Sequence, residues 1–247
     1  ACGARLPSDA LERLPQEAAT DGRLLPESPG LNVDLQRHVL AFVPQPPWVA
    51  WSLGGQPVSL LQPRSGRPPH TLKGQVGLTD GLAFLHDGTA LVIFSAGNAT
   101  VWHTESGQML RVLWHSSLDE RIRAARVFPD GRRLATLGVD GMTNIWNAFS
   151  GDLLLRLRSR GASAHLSLQI LRDDALATGV TWAADPIVMW NANDGSVRRH
   201  LVHRPGLVIQ RMEKSPCGTK LVTATEESLF LWCMVAERLE RELPLAR

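Results

Sequence analysis

The sequence of 247 residues lacks the features that mark several common classes of protein. Its three cysteines, Cys2, Cys217 and Cys233, lie far apart and form no Cys-x-x-Cys pair. A disulfide framework is therefore not expected, and an intracellular, reducing compartment such as the cytoplasm is predicted. No run of about 18 apolar residues occurs, so we predict no insertion into a membrane.

A large net charge is also missing. The chain carries 26 basic and 24 acidic residues, which gives a net charge of +2. Such a balance excludes a strong overall field, so bulk attraction to nucleic acid or to an anionic membrane is not expected. Tyrosine is absent beside eight tryptophans, whereas 44% apolar and 20% charged residues are typical of a folded domain.

Patterns that carry catalysis or metal binding are missing as well. The chain has no glycine-rich loop that cradles phosphate and no nucleophile elbow. His200 and His203 have the spacing of metal ligands, but residues three apart on a strand point to opposite faces. Asp173 and Asp174 are better explained as turn residues than as a catalytic pair. We therefore predict a protein that is not an enzyme and binds no cofactor or metal.

The stretch Val127–Leu157 gives the clearest positive signal. Three tight-turn sequences end its short apolar runs: Pro129-Asp130-Gly131, Asp140-Gly141 and Ser150-Gly151. Asp-Gly between two β-rich runs is a strong hairpin signal, because glycine tolerates the positive φ that such turns need. The stretch therefore predicts four antiparallel strands in a meander: Ile122–Phe128, Arg132–Val139, Met142–Asn147 and Asp152–Arg158.

The same unit recurs along the chain. A tryptophan ends the third strand and a glycine follows five residues later in three copies: Trp102/Gly107, Trp146/Gly151 and Trp190/Gly195. Trp232 marks a fourth copy, with Glu237 in the place of the glycine, and the tryptophans are 44, 44 and 42 residues apart. Leu61, five residues before Gly66, marks an earlier copy that has no tryptophan. A period of about 40–45 residues with four strands per unit is typical of propeller blades.

On these residues the chain resembles the WD-repeat (beta-transducin-like) β-propeller family over residues 33–247. The resemblance implies an all-β fold of five four-stranded antiparallel blades, the first one degenerate: 33–74, 75–115, 118–160, 162–203 and 205–247. Residues 1–32 form a predicted Pro-rich N-terminal arm. The family's rings usually have about seven blades, within a general range of about four to eight. Three explanations stay open. The two preferred ones are a ring completed by another chain and the end of a longer polypeptide, and the third is a closed five-bladed ring.

The resemblance also implies a set of structural blade anchors. The large aromatic anchors are Trp102, Trp146, Trp190 and Trp232. Family members often tie a blade with an acidic residue six positions before the tryptophan, bonded into a His–Ser–Trp network. Asp140 occupies that position, and Glu226 is an acidic substitute in the last blade. The Gly-His pair that usually precedes the first strand of a blade is not clearly present. His115 and His203 lie only near that position.

Arginines are the candidates for binding a partner. One group alternates with leucines on the outermost strand of the clearest blade: Arg156, Arg158 and Arg160. A second group is predicted to cluster around the first hairpin of that blade: Arg121, Arg123, Arg126, Arg132 and Arg133. Charged outer strands guard against edge-to-edge aggregation, which is the favoured explanation of the first group. The functional alternative is an arginine-lined rim that contacts an acidic protein or phosphate groups.

These features favour a non-catalytic WD-repeat scaffold or docking subunit, whose partners are other protein subunits of a larger assembly. A regulatory or sensor propeller of a longer enzyme or ATPase is the first alternative. A basic-rimmed propeller that contacts nucleic acid is a further, less favoured one. A substrate receptor of a ubiquitin ligase is disfavoured, because Asn147 and Phe149 stand where that subfamily has Asp and Arg.

Overall fold

The computed structural model describes 11 segments of the chain: 38–44, 47–53, 56–63, 65–74, 79–85, 88–95, 97–115, 121–159, 166–180, 187–203 and 207–245. The predicted arm at residues 1–32 and the candidate contact residue Arg160 lie outside them. All the described segments belong to one structural unit, Arg37–Arg247. Within them the regular structure is entirely β, and no helix of a length and apolarity able to cross a membrane is found there.

In the described segments, twenty strands form five sheets, each made of four consecutive strands. The first sheet contains β1 (His38–Pro44), β2 (Pro47–Leu53), β3 (Ser59–Leu61) and β4 (His70–Thr71). The second contains β5 (Gly81–Phe84), β6 (Ala90–Phe94), β7 (Asn98–His103) and β8 (Met109–Trp114). The third contains β9 (Ile122–Val127), β10 (Arg133–Gly138), β11 (Met142–Asn147) and β12 (Leu153–Arg158).

The last two sheets repeat this arrangement. The fourth contains β13 (Leu166–Ile170), β14 (Ala175–Val180), β15 (Ile187–Asn191) and β16 (Val197–Leu201). The fifth contains β17 (Arg211–Lys214), β18 (Lys220–Ala224), β19 (Ser228–Cys233) and β20 (Arg238–Pro244). Neighbouring strands are antiparallel throughout, so the predicted fold of five four-stranded antiparallel blades is confirmed.

Consecutive sheets pack face to face, and one cluster of buried side chains fills each of the four junctions. Each of the four repeated tryptophans lies in the junction with the preceding sheet: Trp102 in the first, Trp146 in the second, Trp190 in the third and Trp232 in the fourth. A buried leucine of the second strand pairs with each of them: Leu91, Leu134, Leu176 and Leu221. The tryptophan of each pair buries a large apolar ring surface.

The first strands of successive sheets are neighbours in space, β1 with β5, β5 with β9, β9 with β13 and β13 with β17. The fourth strands are therefore at the opposite, outer edge of each sheet. Among the residues whose side chains the structure describes, no buried cluster joins the fifth sheet to the first.

The turn after each tryptophan has a left-handed residue at its end. Gly151 has φ +85°, and a Cβ built on it would lie 3.5 Å from Arg111 Cδ on the outer strand of the preceding sheet. That distance leaves room for a Cβ, so it is the positive φ that favours glycine here. Glu237 takes the same place in the fifth sheet with φ +48°.

Candidate functional site

A chain of polar groups crosses the junction between the second and third sheets. His115 follows β8, and its Nδ1 lies 2.8 Å from Thr136 Oγ1 on β10. Trp146 Nε1 donates a hydrogen bond of 2.9 Å to the same oxygen. Asp140 Oδ1 lies 3.8 Å from His115 Nε2. One buried hydroxyl group therefore connects the end of one sheet to the tryptophan of the next.

Gly138 makes room for this arrangement. A Cβ built there would lie 2.5 Å from both His115 Nε2 and Asp140 Oδ1, closer than any side chain allows. We call the polar contact of His115 with Thr136 and its equivalents at the other junctions a joint. At the second junction the joint requires that the last residue of β10 has no side chain.

The same connection recurs at the next two junctions. At the third, Ser159 Oγ lies 3.1 Å from Thr178 Oγ1, which accepts a 2.9 Å bond from Trp190 Nε1. At the fourth, His203 Nε2 lies 2.7 Å from Thr223 Oγ1, which accepts a 3.0 Å bond from Trp232 Nε1. The threonines are fully buried, so each hydrogen bond is made away from water.

At the first junction apolar residues take the positions of the histidine and the threonine. Leu72 is the residue equivalent to His115. In each case the backbone N–H donates to the backbone oxygen of the residue that precedes the third strand of the same sheet. Ile93 stands at the position of Thr136, and both Leu72 and Ile93 are buried. Trp102 Nε1 donates instead to Thr100 Oγ1, at 2.8 Å. Histidine and threonine are thus replaced together.

Burial sets the charge state of the two histidines. Removal from water lowers the pKa of His115, and the nearby Asp140 carboxylate opposes part of that shift. Burial lowers the pKa of His203 to about 4, against a smaller opposite effect of the Glu242 carboxylate. Both imidazoles are therefore neutral near pH 7 and act as hydrogen-bonding groups of the joints.

The two predicted acidic anchors have different surroundings. Asp140 is partly buried, faces His115 and accepts a 2.9 Å bond from the Met142 backbone N–H. Glu226 is exposed and accepts a 3.3 Å bond from Gln210 Nε2. The network roles of both histidines and of the threonines were not predicted from the sequence. A Leu-x-Thr motif on the second strand was the available signal: Leu134–Thr136, Leu176–Thr178 and Leu221–Thr223.

The structure does not bring the second predicted group of arginines together. Arg121 and Arg123 are at the start of β9, whereas Arg132 and Arg133 follow its end. The six residues of β9 place these two pairs of arginines about 16 Å apart, at roughly 3.3 Å per residue. The expected cluster around one hairpin is therefore wrong, because both ends of a strand were assigned to one turn.

Two of these arginines are engaged within the protein. Arg121 forms an ion pair with Asp80 of the second sheet. The Arg133 guanidinium lies between the third and fourth sheets, where it pairs with Asp130 and Asp174. It also donates 2.9 Å to Asn193 Oδ1 and lies 4.5 Å above the Phe128 ring. Their positive charge is therefore largely compensated.

The remaining candidate arginines are closer to the surface. Arg156 and Arg158 are exposed on the outer strand β12, as the alternation with leucines predicts. Arg156 Nε donates a 3.3 Å bond to Asn144 Oδ1. Arg126 is partly buried and donates to the Ala125 backbone oxygen, whereas Arg123 and Arg132 are exposed.

The far face of the fifth sheet differs from its counterparts. A residue one or two positions after the fourth strand is buried in each of the first four sheets: Leu72, His115, Ser159 and His203. Its counterpart after the fifth, Leu245, is 43% exposed. On the same sheet an apolar face is only half-buried, and we call it the open face: Val222, Ala224, Leu229 and Leu231. In the third sheet the equivalent residues Ala135, Leu137 and Ile145 are fully buried against the fourth sheet.

Comparisons with known proteins support the fold more firmly than the function. No protein-family model matches the sequence. The chain is 26% identical to the SIR4-interacting protein SIF2 of Saccharomyces cerevisiae over 160 residues, which are 62% of this chain and 28% of that protein. It is also similar to a crystal structure of the computationally designed Ika8 protein, with a TM-score of 0.68 and 19% identity. That match covers 83% of this chain and 61% of the designed one, so this chain spans less than two thirds of each relative.

Proposed function

We propose that the chain is a non-catalytic scaffold or docking subunit of the WD-repeat type, which mediates protein–protein contacts in a larger assembly. The observation that carries the proposal is the open face with the exposed Leu245 beside it. At each of the four junctions this kind of face is covered by the next sheet. A group of adjacent apolar residues that stays accessible on one face of a sheet is typical of a binding interface.

The repeat also indicates what covers the open face. At every junction the apolar face of one sheet packs against the leucine and tryptophan of the following sheet, as Leu137 and Ile145 pack in one cluster with Trp190. A further four-stranded sheet with leucine and tryptophan on its second and third strands is therefore the best-fitting occupant. A partner protein, or more of the same polypeptide, would supply it.

Protein binding is also the function that the comparisons favour. SIF2 is by its name a protein that interacts with another protein, SIR4. The similar region is 28% of SIF2, so it lies within a longer chain there. This fraction favours the second candidate function, a regulatory or sensor propeller in a longer polypeptide such as an enzyme or ATPase. Nucleic-acid binding is less favoured, since Arg121 and Arg133 are ion-paired. The intracellular location stays a prediction.

A cross-linking experiment tests the docking role. We would purify the tagged full chain from cells that express it and identify cross-linked partners by mass spectrometry. The variant Leu229→Asp/Leu231→Asp places charge on the open face and should release the partner, because charges do not enter an apolar interface unpaired. Leu154→Asp, on the exposed outer strand β12, is the control and should keep it.

Two outcomes would contradict the proposal. The first is retention of the partner by the open-face variant. The second is a monomeric wild-type chain whose cross-links join the first sheet to the fifth, since that would show a self-closed ring.

A further inference from the structure

We infer that the outer edge of the second sheet pairs with the same edge of a second copy of this chain, so that β8 and its copy form a two-fold antiparallel pair. The second sheet ends at β8, and an edge strand presents backbone N–H and C=O groups that no neighbouring strand uses. This edge is separate from the open face of the fifth sheet. The inference therefore goes beyond the proposed function and does not depend on it.

The outer strand β8 has the fewest charges among the four outer strands of five or more residues. Arg111 is the one charged residue of its six, whereas β12 and β16 have two each and β20 has four. Charged side chains and prolines protect natural sheet edges against pairing with another chain. β8 is therefore the least protected of these outer edges.

The exposed side chains of β8 are mostly apolar. Trp114 has the highest exposed fraction among the described tryptophans, and Met109 and Leu110 are exposed as well. The position of Trp114, opposite the first residue of the third strand, is occupied by Arg158 in the third sheet and by Pro244 in the fifth. An exposed tryptophan thus replaces residue types that protect the edge elsewhere.

The backbone of β8 determines which of its residues a second copy can pair with. His115, the residue after the strand, donates its backbone N–H to the Gly97 oxygen on the inner side. Backbone groups alternate between the two sides of an antiparallel strand, so those of Val112 and Trp114 point outward. A two-fold axis beside Val112 pairs this residue with its own copy and places Trp114 opposite Leu110 of the other chain.

This register places no like charges directly opposite each other. The position of Val112, opposite the residue two before the repeated tryptophan, is occupied by Arg156 in the third sheet and by Glu242 in the fifth. The same pairing of β12 or β20 would set that charge against its own copy, which is unfavourable. In β8 the central residue is a valine, and an aromatic–aliphatic pair of Trp114 with Leu110 is favourable. A second copy of β8 is therefore a fitting partner for β8.

The one charge of β8 has to be weighed against this pairing. In the two-fold register Arg111 and its copy are diagonal neighbours, whose Cα atoms lie about 7–8 Å apart. Exposed charges at that distance are partly screened at physiological salt, where the Debye length is about 8 Å. Arg111 Nη1 also donates 2.8 Å to the Leu110 backbone oxygen, which holds the guanidinium beside its own strand. The repulsion is therefore a modest cost.

Sedimentation equilibrium of the full chain over about 5–500 µM tests the inference, because that range spans the affinities of weak protein pairs. The paired edge is smaller than a standard interface of about 1,200–2,000 Å², so we expect a monomer–dimer equilibrium with a dissociation constant of about 10–200 µM. Val112→Arg reproduces the centre of β12 and should weaken the dimer at least about tenfold. Leu154→Arg, at an exposed leucine of β12, is the matched control and should leave the dimer unchanged.

A mixture of two variants separates repulsion at the edge from a folding defect. Val112→Glu should dimerise as poorly as Val112→Arg, because each places like charges at the two-fold axis. An equimolar mixture of the two should form a heterodimer at least about tenfold tighter than either variant alone, since opposite charges then face each other. In wild-type hydrogen exchange the amides of Val112 and Trp114 should exchange more slowly at high than at low protein concentration, and those of β18 and β19 should not change.

Three results would overturn the inference. The first is a wild-type chain that stays monomeric throughout the concentration range, and the second is a mixture of the two Val112 variants that forms no heterodimer. The third is a dimer that survives Val112→Arg but is lost in Leu229→Asp/Leu231→Asp, which would place the contact at the open face. If the chain is monomeric and its purified assembly loses a partner in Val112→Arg, the edge binds a strand of another protein and a second copy is the wrong occupant. Release of the partner by Leu229→Asp/Leu231→Asp tests the proposed function whichever of these results is found.

Discussion

Single tryptophans occupy two opposite environments in this chain. Trp146 is 5% exposed in the junction of the second and third sheets, whereas Trp114 is 61% exposed at the end of the outer strand β8. We expect Trp146→Ala to lower the free energy of unfolding by about 3–5 kcal/mol, because it leaves a cavity and removes the donor to Thr136. Trp114→Ala should cost less than about 0.5 kcal/mol. Denaturant unfolding of both variants measures this, and similar losses would contradict it.

Glu237 is the one residue whose type disagrees with its repeated position. It has φ +48°, where the other sheets have glycines with φ between +66° and +85°. The left-handed conformation costs a non-glycine residue about 1–2 kcal/mol, and its exposed pair with Arg199 contributes at most about 1 kcal/mol. We therefore expect Glu237→Gly to raise the free energy of unfolding by up to about 1 kcal/mol.

Gly195 is the matched control for that substitution. It has φ +76°, and a Cβ would lie 3.1 Å from Leu157 Cδ2 of the preceding sheet. Gly195→Ala should lower the free energy of unfolding by about 1–2 kcal/mol. A destabilised Glu237→Gly, or a Gly195→Ala as stable as wild type, would show that the turn conformation is not the deciding factor.

At the level of elements, the sequence predicted the strands well and the joints poorly. The four strands of the third sheet end within one or two residues of the predicted ends, because Asp140-Gly141 and Ser150-Gly151 specify turns locally. The joints depend on contacts between residues far apart in sequence. His115 meets Thr136 across 21 positions, and only the strand register shows that Thr136 and Trp146 share a face. Local signals do not contain that register.

The joints themselves provide a test of coupling. Thr136→Ile alone should lower the free energy of unfolding by about 1–3 kcal/mol, because it leaves His115 and Trp146 Nε1 without their buried partner. His115→Leu with Thr136→Ile reproduces the apolar pair of the first junction, Leu72 and Ile93, although Asn144 stands where Thr100 accepts from the tryptophan there. We expect the double variant to lose at least about 1 kcal/mol less free energy of unfolding than the sum of the losses in the two single variants. Strictly additive losses in this double-mutant cycle would contradict the coupling.

The histidine of the fourth junction predicts how stability depends on pH. The pKa of His203 is about 4 in the folded chain, below its ordinary 6.5, because burial disfavours the cation. As the pH falls, the unfolded chain therefore takes up this proton first, and the free energy of unfolding decreases between pH 6.5 and 4. We expect a loss of about 2 kcal/mol, reduced from the full shift by residual solvent access.

His203→Gln removes this titration while keeping a polar side chain beside Thr223. The wild-type chain should therefore lose more stability than this variant over the same pH range, as measured by urea unfolding at each pH. Carboxylates other than Glu242, which interacts with His203, affect both proteins equally. Parallel pH profiles would contradict the assignment.

At the level of the whole molecule, the end faces and the arginines were the least predictable features. Five arginines lie close together in the sequence, which predicts one basic cluster: Arg121, Arg123, Arg126, Arg132 and Arg133. The fold places them at two ends of β9 and compensates the charges of Arg121 and Arg133 with acids from neighbouring sheets.

The serial packing of the sheets leads to a prediction about how the molecule opens. Each described cluster joins only two consecutive sheets, so the effect of a weakened junction should stay near it. In native-state hydrogen exchange we expect Trp146→Ala to accelerate exchange in β5–β12 and to leave β17–β19 close to wild type. Trp232→Ala should do the reverse, with faster exchange confined to the fourth and fifth sheets. A uniform acceleration in both variants would instead mean that the first and fifth sheets are coupled, and the open face would then have no need of a partner.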